Sequence, residues 1–216
     1  MKRLILYDLD GTLVDTLEDI AQAANHMLRE MQGSTLPSSE VRRYIGQGLH
    51  ELVKGCLKTD DPASIERGST IYRGYYTTHL VDHSRLYPGA QEVLEHFTSR
   101  RQAVITNKPN PYASDILRAL GVAGYFFEVV GGNSAYPKKP HPGSLLAIME
   151  RAKAAPQETI FIGDSPVDIE TGRQAGVLTV CVTHGFSDAH EIRAAAPDVT
   201  VDTFHELLTL ATREGW

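Results

Sequence analysis

The chain has only two cysteines, Cys56 and Cys181, among 216 residues. Two thiols in apolar surroundings make neither a disulfide framework nor a cysteine-rich metal site, and so low a count fits a reducing cytoplasm. There is no excess of positive charge: 21 Lys and Arg stand against 27 Asp and Glu, for a net charge of -6. Nucleic acid and anionic membrane surfaces are bound through basic faces, so neither is expected as a partner. There is also no long hydrophobic run. The N-terminal stretch Leu4-Ile5-Leu6-Tyr7 stops at Asp8, too short for a signal peptide or a membrane span. The nine histidines are scattered without metal-ligand spacing, and no repeat or low-complexity tract is visible.

What is there is a succession of short apolar runs: Leu4 to Tyr7, Ala103 to Thr106, Phe127 to Val130, Thr159 to Ile162, Leu178 to Val182 and Val199 to Val201. Runs of this length without strict alternation predict strands buried on both faces. Helical patterns lie between the later ones. One opens at Pro88, one runs from Pro111 to Leu120, one carries Leu145, Leu146, Ile148 and Met149, and one runs from Pro166 to Ala175 before Gly176. Strands alternating with helices predict a parallel sheet.

Residues 15–85 differ. They hold no clear strand run and instead show helical spacing, beginning with Ile20, Ala23, Ala24, Met27, Leu28 and Met31. Thr16 reads as a loose N-cap for that helix, and Ser38 or Ser39 as a cap for a second one ending at Gly46. Third and fourth helices are expected around Leu52 to Leu57 and Ile65 to Thr78. The expected organisation is an α/β core of residues 1–14 and 86–216 with an inserted helical cap of residues 15–85. Open α/β sheets bind ligands beyond the carboxyl ends of their strands, so the insert is placed to cover such a site.

Four polar clusters follow strand runs. In Asp8-Leu9-Asp10-Gly11-Thr12, two carboxylates share a face of extended chain and repel unless a cation or a proton intervenes; alone, the pattern equally suits a polar strand end with an Asp-Gly turn. Thr106-Asn107-Lys108-Pro109 places a hydroxyl and an amide before a helix start, where anions are favoured. Pro137-Lys138-Lys139-Pro140 holds lysine on a stiff loop. Gly163-Asp164-Ser165-Pro166-Val167-Asp168 enters a helix with acids that suit a hard cation or serve as caps. Singly each is modest; together they converge on one sheet edge.

In order and spacing, these clusters resemble the four motifs of the haloacid dehalogenase-like hydrolase superfamily. Asp10-Gly11-Thr12-Leu13-Val14-Asp15-Thr16, Thr106-Asn107-Lys108-Pro109 and Tyr44-Ile45-Gly46-Gln47-Gly48 are most similar to its phosphoglycolate phosphatase group. Asn133 departs from that group, which often has an acid there. The resemblance implies a Rossmann-like core with a helical cap, and a magnesium-dependent phosphatase acting on small phosphate monoesters. It implies Asp8 as nucleophile and Asp10 as acid and base. Mg²⁺ is expected on Asp8, the Asp10 carbonyl and Asp164, with Asp168 behind them. Thr106, the Asn107 backbone and Lys139 are expected on the phosphoryl oxygens.

Arg42 and Gln47, beside Gly46 and Gly48, are the expected cap contacts to substrate. The expected partner is a small phosphorylated metabolite such as 2-phosphoglycolate, and the protein a cytoplasmic monomer or homodimer. A β-phosphoglucomutase-like phosphomutase, a pyrophosphatase or a nucleotidase shares the same core residues. A dehalogenase would need no second acid, and a silent binding module would be expected to have lost one of the core residues.

Overall fold

The computed structural model describes residues 1–216. After β1 (Leu4–Tyr7) and the two-residue β2 (Val14–Asp15) come four helices, α1 (Leu17–Glu30), α2 (Ser38–Val41), α3 (Leu49–Leu57) and α4 (Pro62–Tyr76). The chain returns through β3 (Arg85–Leu86), then runs through α5 (Ala90–His96), β4 (Arg101–Ile105), α6 (Tyr112–Ala119) and β5 (Glu128–Val130). It continues with α7 (Gly143–Ala152), β6 (Thr159–Gly163), α8 (Pro166–Ala175), β7 (Leu178–Val182), α9 (Ala189–Ala195), β8 (Val199–Val201) and α10 (Phe204–Glu214).

Six strands form one sheet in the order β5-β4-β1-β6-β7-β8, and every neighbouring pair is parallel. The expected α/β fold is therefore present. Side chains alternate across a strand, and β1 divides its residues accordingly. Ile5 and Tyr7 pack with Val93, Leu94, Ile116, Leu117 and Phe204 on one face. Leu4 and Leu6 pack with Leu145, Ile148 and Ala175 on the other. Helices cover both faces, which is why the central strand β1 reads as an unbroken apolar run. Because β1 lies between β4 and β6, the loops that follow these three strands meet at one edge of the sheet.

Helices α1 to α4 bury a separate apolar cluster that includes Met27, Val53, Ile65, Tyr72 and Tyr76. The chain enters and leaves them through a small antiparallel ribbon in which Val14 pairs with Leu86 and Asp15 with Arg85. That ribbon is too short to show in a sequence pattern. Buried Asp19 secures the return segment: it accepts the His83 N–H at 3.0 Å, the Ser84 N–H at 2.8 Å and the Ser84 hydroxyl at 2.6 Å.

Two expected caps are not formed. The Thr16 hydroxyl makes no helix-capping bond; it donates instead to Asp10 Oδ1 at 2.7 Å. Pro37 occupies the cap position of α2, which lasts one turn and gives way to a 3-10 turn at Arg42–Tyr44. The chain is already extended at Ile45 and turns through Gly46 and Gly48, both at positive φ. The second helix of the insert is therefore shorter than its spacing predicts. No helix is long and apolar enough to cross a membrane.

Candidate active site

The three central strands deliver their polar ends to one place. Asp8 follows β1, Thr106 follows β4 and Asp164 follows β6. Carboxylate oxygens of Asp8, Asp164 and Asp168 lie within 4.8 Å of one another, and all three residues are buried. Two acidic side chains so close need a neutralising partner. Lys139 supplies part of it, with Nζ 2.6 Å from Asp168 Oδ1 and 2.8 Å from Asp8 Oδ1. The aligned hydrogen bond goes to Asp168, so Asp8 Oδ1 has the charge nearby but no donor pointed at it.

Burial dominates the proton affinities. It pushes the Asp8 carboxyl up to about 7, against the pull of Lys139, while Asp168 and Asp10 push the same way as burial. It pushes Asp164 up to about 8, helped by Asp168 and Asp8 and opposed by the Phe186 N–H and the Thr12 hydroxyl. For Lys139, burial favours the neutral amine, but Asp168 and Asp8 outweigh it and hold the ammonium charged. The site is thus two reluctant carboxylates beside one firmly charged lysine.

Each expected residue has a definite place. Asp168 is fully engaged: Oδ1 takes Lys139, and Oδ2 accepts the Ser165 hydroxyl at 2.6 Å and its N–H at 3.2 Å at the start of α8. Asp164 accepts the Thr12 hydroxyl at 3.0 Å and the Phe186 N–H at 2.7 Å. A side chain on Gly11 or Gly185 would collide with the Asp164 carboxylate, so both loops close tightly on it. Thr106 Oγ1 accepts the Lys108 N–H at 3.2 Å, leaving its own hydrogen for a ligand oxygen.

Asn107 serves the frame. Its Oδ1 accepts the Lys139 N–H at 2.9 Å, and its Nδ2 donates to the Lys139 carbonyl at 3.1 Å and to the Gly46 carbonyl at 2.9 Å. One amide thus sets the lysine loop and ties it to the turn after α2. Its side chain is therefore not free for substrate.

Arg42 and Gln47 are not brought into the cleft with Asp8. That cleft, of about 50 Å³, is lined by Asp8, Asp10, Thr106, Asn107, Lys108 and an apolar wall from the helical insert. Arg42 and Gln47 line a second opening of about 670 Å³ on the other side of the Gly46 turn. Arg42 Nε donates to the Phe186 carbonyl at 2.6 Å and Nη2 to the Gly185 carbonyl at 3.0 Å. The cause is the 3-10 turn, which carries Arg42 toward the loop after β7.

Sequence reasoning gave no role in the site to three participants: Thr12, Lys108 and Thr16, which reads as a helix cap. Lys108 Nζ donates to Asp10 Oδ1 at 2.9 Å and Oδ2 at 3.2 Å, beside the Thr16 hydroxyl. Position next to Thr106-Asn107 was the one available signal, since nothing in a lysine's identity marks it as buried.

A family model for haloacid dehalogenase-like hydrolases matches residues 5–182. The chain belongs to that family. It is 35% identical over 220 residues to a phosphoglycolate phosphatase of Nitrosospira multiformis, covering 99% of this chain and 97% of the relative. A phosphoglycolate phosphatase of Vibrio parahaemolyticus is 33% identical, with 95% and 94% covered. The fold superimposes on the crystal structure of a predicted phosphoglycolate phosphatase from Haemophilus somnus with a TM-score of 0.92. That pair is 30% identical, over 97% of this chain and 98% of the other. A chain of this family is a hydrolase.

Proposed function

We propose that the protein is a magnesium-dependent phosphatase of small phosphate monoesters, 2-phosphoglycolate foremost, working through an aspartyl-phosphate on Asp8. The observation that carries this reading is the buried Asp8, with an oxygen that no aligned donor satisfies, beside Lys139 and Thr106. Relatives named phosphoglycolate phosphatase along nearly the whole chain support the substrate.

The donor set fits a hard cation: only oxygen ligands, buried, with two carboxyls that otherwise hold protons. Asp8, Asp164 and the Asp10 carbonyl would hold Mg²⁺, whose charge would offset that of the phosphoryl oxygens.

The residues divide the work. A carboxylate oxygen of Asp8 attacks phosphorus, and the bond from phosphorus to the ester oxygen breaks. Asp10 passes a proton to that oxygen, so the alcohol leaves neutral; Asp10 then takes a proton from water as the water oxygen attacks phosphorus. The bond from phosphorus to Asp8 breaks, and phosphate and free Asp8 result. Lys139 and the Thr106 hydroxyl hold oxygens whose charge grows during both displacements. Asp168 keeps Lys139 aimed. The helices of residues 15–85 act as a cap that keeps bulk water from the cleft. A cytoplasmic protein, monomeric or dimeric, completes the reading.

Phosphate release from a monoester panel, with Mg²⁺ and with chelator, tests it. Metal-dependent turnover led by 2-phosphoglycolate is expected, over sugar phosphates, pyrophosphate and nucleotides. Absence of hydrolysis of every ester would refute it.

A further inference from the structure

The catalytic cleft contains two acids, Asp8 and Asp10, and a single cation, Lys108; the rest of its wall is neutral. Lys139 faces Asp8 and Asp168 from behind, so it is committed to the phosphoryl end. Lys108 is 8% exposed. Its only side-chain hydrogen bonds go to Asp10, and its Nζ stands 4.8 Å from the centre of the Tyr76 ring. Tyr76 lines the same cleft, and its buried hydroxyl has no hydrogen-bond partner. A buried phenol without a partner is costly, and a ligand atom would relieve it.

Resting on the phosphatase reading, we infer that Lys108 and the Tyr76 hydroxyl form the receptor for a carboxylate on the substrate, at the end away from the phosphate. Arg42, the residue the sequence suggests for this task, is spent on backbone carbonyls outside the cleft. Lys108 is different: its partner Asp10 is a residue that must part from it to reach the leaving oxygen. A substrate carboxylate takes over the ammonium as Asp10 turns to the ester, so the buried charge is paired throughout.

Geometry limits the length of the substrate. Thr106 and Lys108 are two residues apart, as are Asp8 and Asp10. Two residues of extended chain span at most about 7 Å, and the free space in the cleft is about 50 Å³. The receptor therefore suits a carboxylate two or three atoms from the phosphate, and it leaves a neutral sugar or alcohol tail without a partner for Lys108.

The test is binding rather than turnover, in the presence of Mg²⁺, with two stable phosphonates of matched size. One, 3-phosphonopropionate, carries the carboxylate; the other, propylphosphonate, lacks it. Calorimetry should show that the wild-type protein prefers the carboxylated ligand by about ten- to a hundredfold, the range of a hydrogen bond to a charged group. Lys108→Met should bring that ratio to about threefold or less, and Lys108→Arg should restore it to at least about tenfold. Tyr76→Phe should lower it by about threefold and decides the matter if Lys108→Met fails to fold. No preference in the wild type, or an unchanged ratio in Lys108→Met or in Tyr76→Phe, overturns the assignment. The two readings fail separately: a Lys108-dependent preference without hydrolysis of any ester rejects the phosphatase alone, and hydrolysis without that preference rejects the receptor alone.

Discussion

Lys139 Nζ lies 2.6 Å from Asp168 Oδ1, in a pair whose side chains are each 2% exposed. Asp168 is in turn held by Ser165 at the first turn of α8, so a helix start fixes the direction of the lysine.

Removing the carboxylate should cost both rate and stability. Asp168→Ala removes the hydrogen-bonded partner of a buried ammonium and leaves it only Asp8, at 2.8 Å, so it should destabilise the fold by about 1–3 kcal/mol. It should also lower kcat by about 10- to 100-fold, as loss of an orienting partner does. Urea unfolding and steady-state rates check the two halves. A variant of normal stability and rate would show that Lys139 needs no such support.

Metal and pH should act together on stability. An ordinary Asp carboxyl titrates near 4, whereas burial holds Asp8 up to about 7 and Asp164 up to about 8. Between those limits the metal-free fold keeps protons that the unfolded chain has released. Its stability from these two groups is therefore complete below pH ~4 and lost as pH rises toward ~8. Mg²⁺ must displace the same protons, so its stabilising effect grows over that range. Melting temperatures with chelator and with Mg²⁺, at pH about 5.5 and about 8, should show the larger metal-induced rise at the higher pH. Equal rises would contradict the protonation account.

Arg42 should behave as a link between the cap and the metal side of the site. It donates to the Phe186 carbonyl at 2.6 Å, and the Phe186 N–H donates to Asp164 Oδ2 at 2.7 Å. Arg42→Met should raise the Mg²⁺ concentration for half-maximal rate by about tenfold, the lower end for partners that orient a ligand. The loss should be the same for carboxylated and neutral esters. A loss confined to carboxylated esters would instead place Arg42 on the substrate.

Much of the core was legible in the sequence because β1 is wholly apolar and buried, and β6 and β7 are buried along almost their whole length. β4 was harder. It begins at Arg101, and Gln102 is a buried polar residue satisfied by the Tyr7 hydroxyl at 2.8 Å and the Leu94 carbonyl at 3.0 Å; neither partner is visible locally. The core motifs could be read because strand ends, glycine turns and acids occur in a fixed order. The cap contacts could not. Thr16 has the chemistry of a helix cap and of a donor to Asp10, and only the three-dimensional position of Asp10 decides between them. Arg42 takes its partners 143 and 144 residues away, and Lys108 is buried although its residue type predicts exposure.

The central claim is that Asp8 carries the phosphoryl group. The measurement that tests it most directly is Mg²⁺-dependent phosphate release from 2-phosphoglycolate by the wild type and by Asp8→Asn, each first shown to be folded by its melting curve. Asparagine has the same shape without the nucleophilic carboxylate, so turnover should vanish in the folded variant. Full turnover by a folded Asp8→Asn protein would contradict the covalent route.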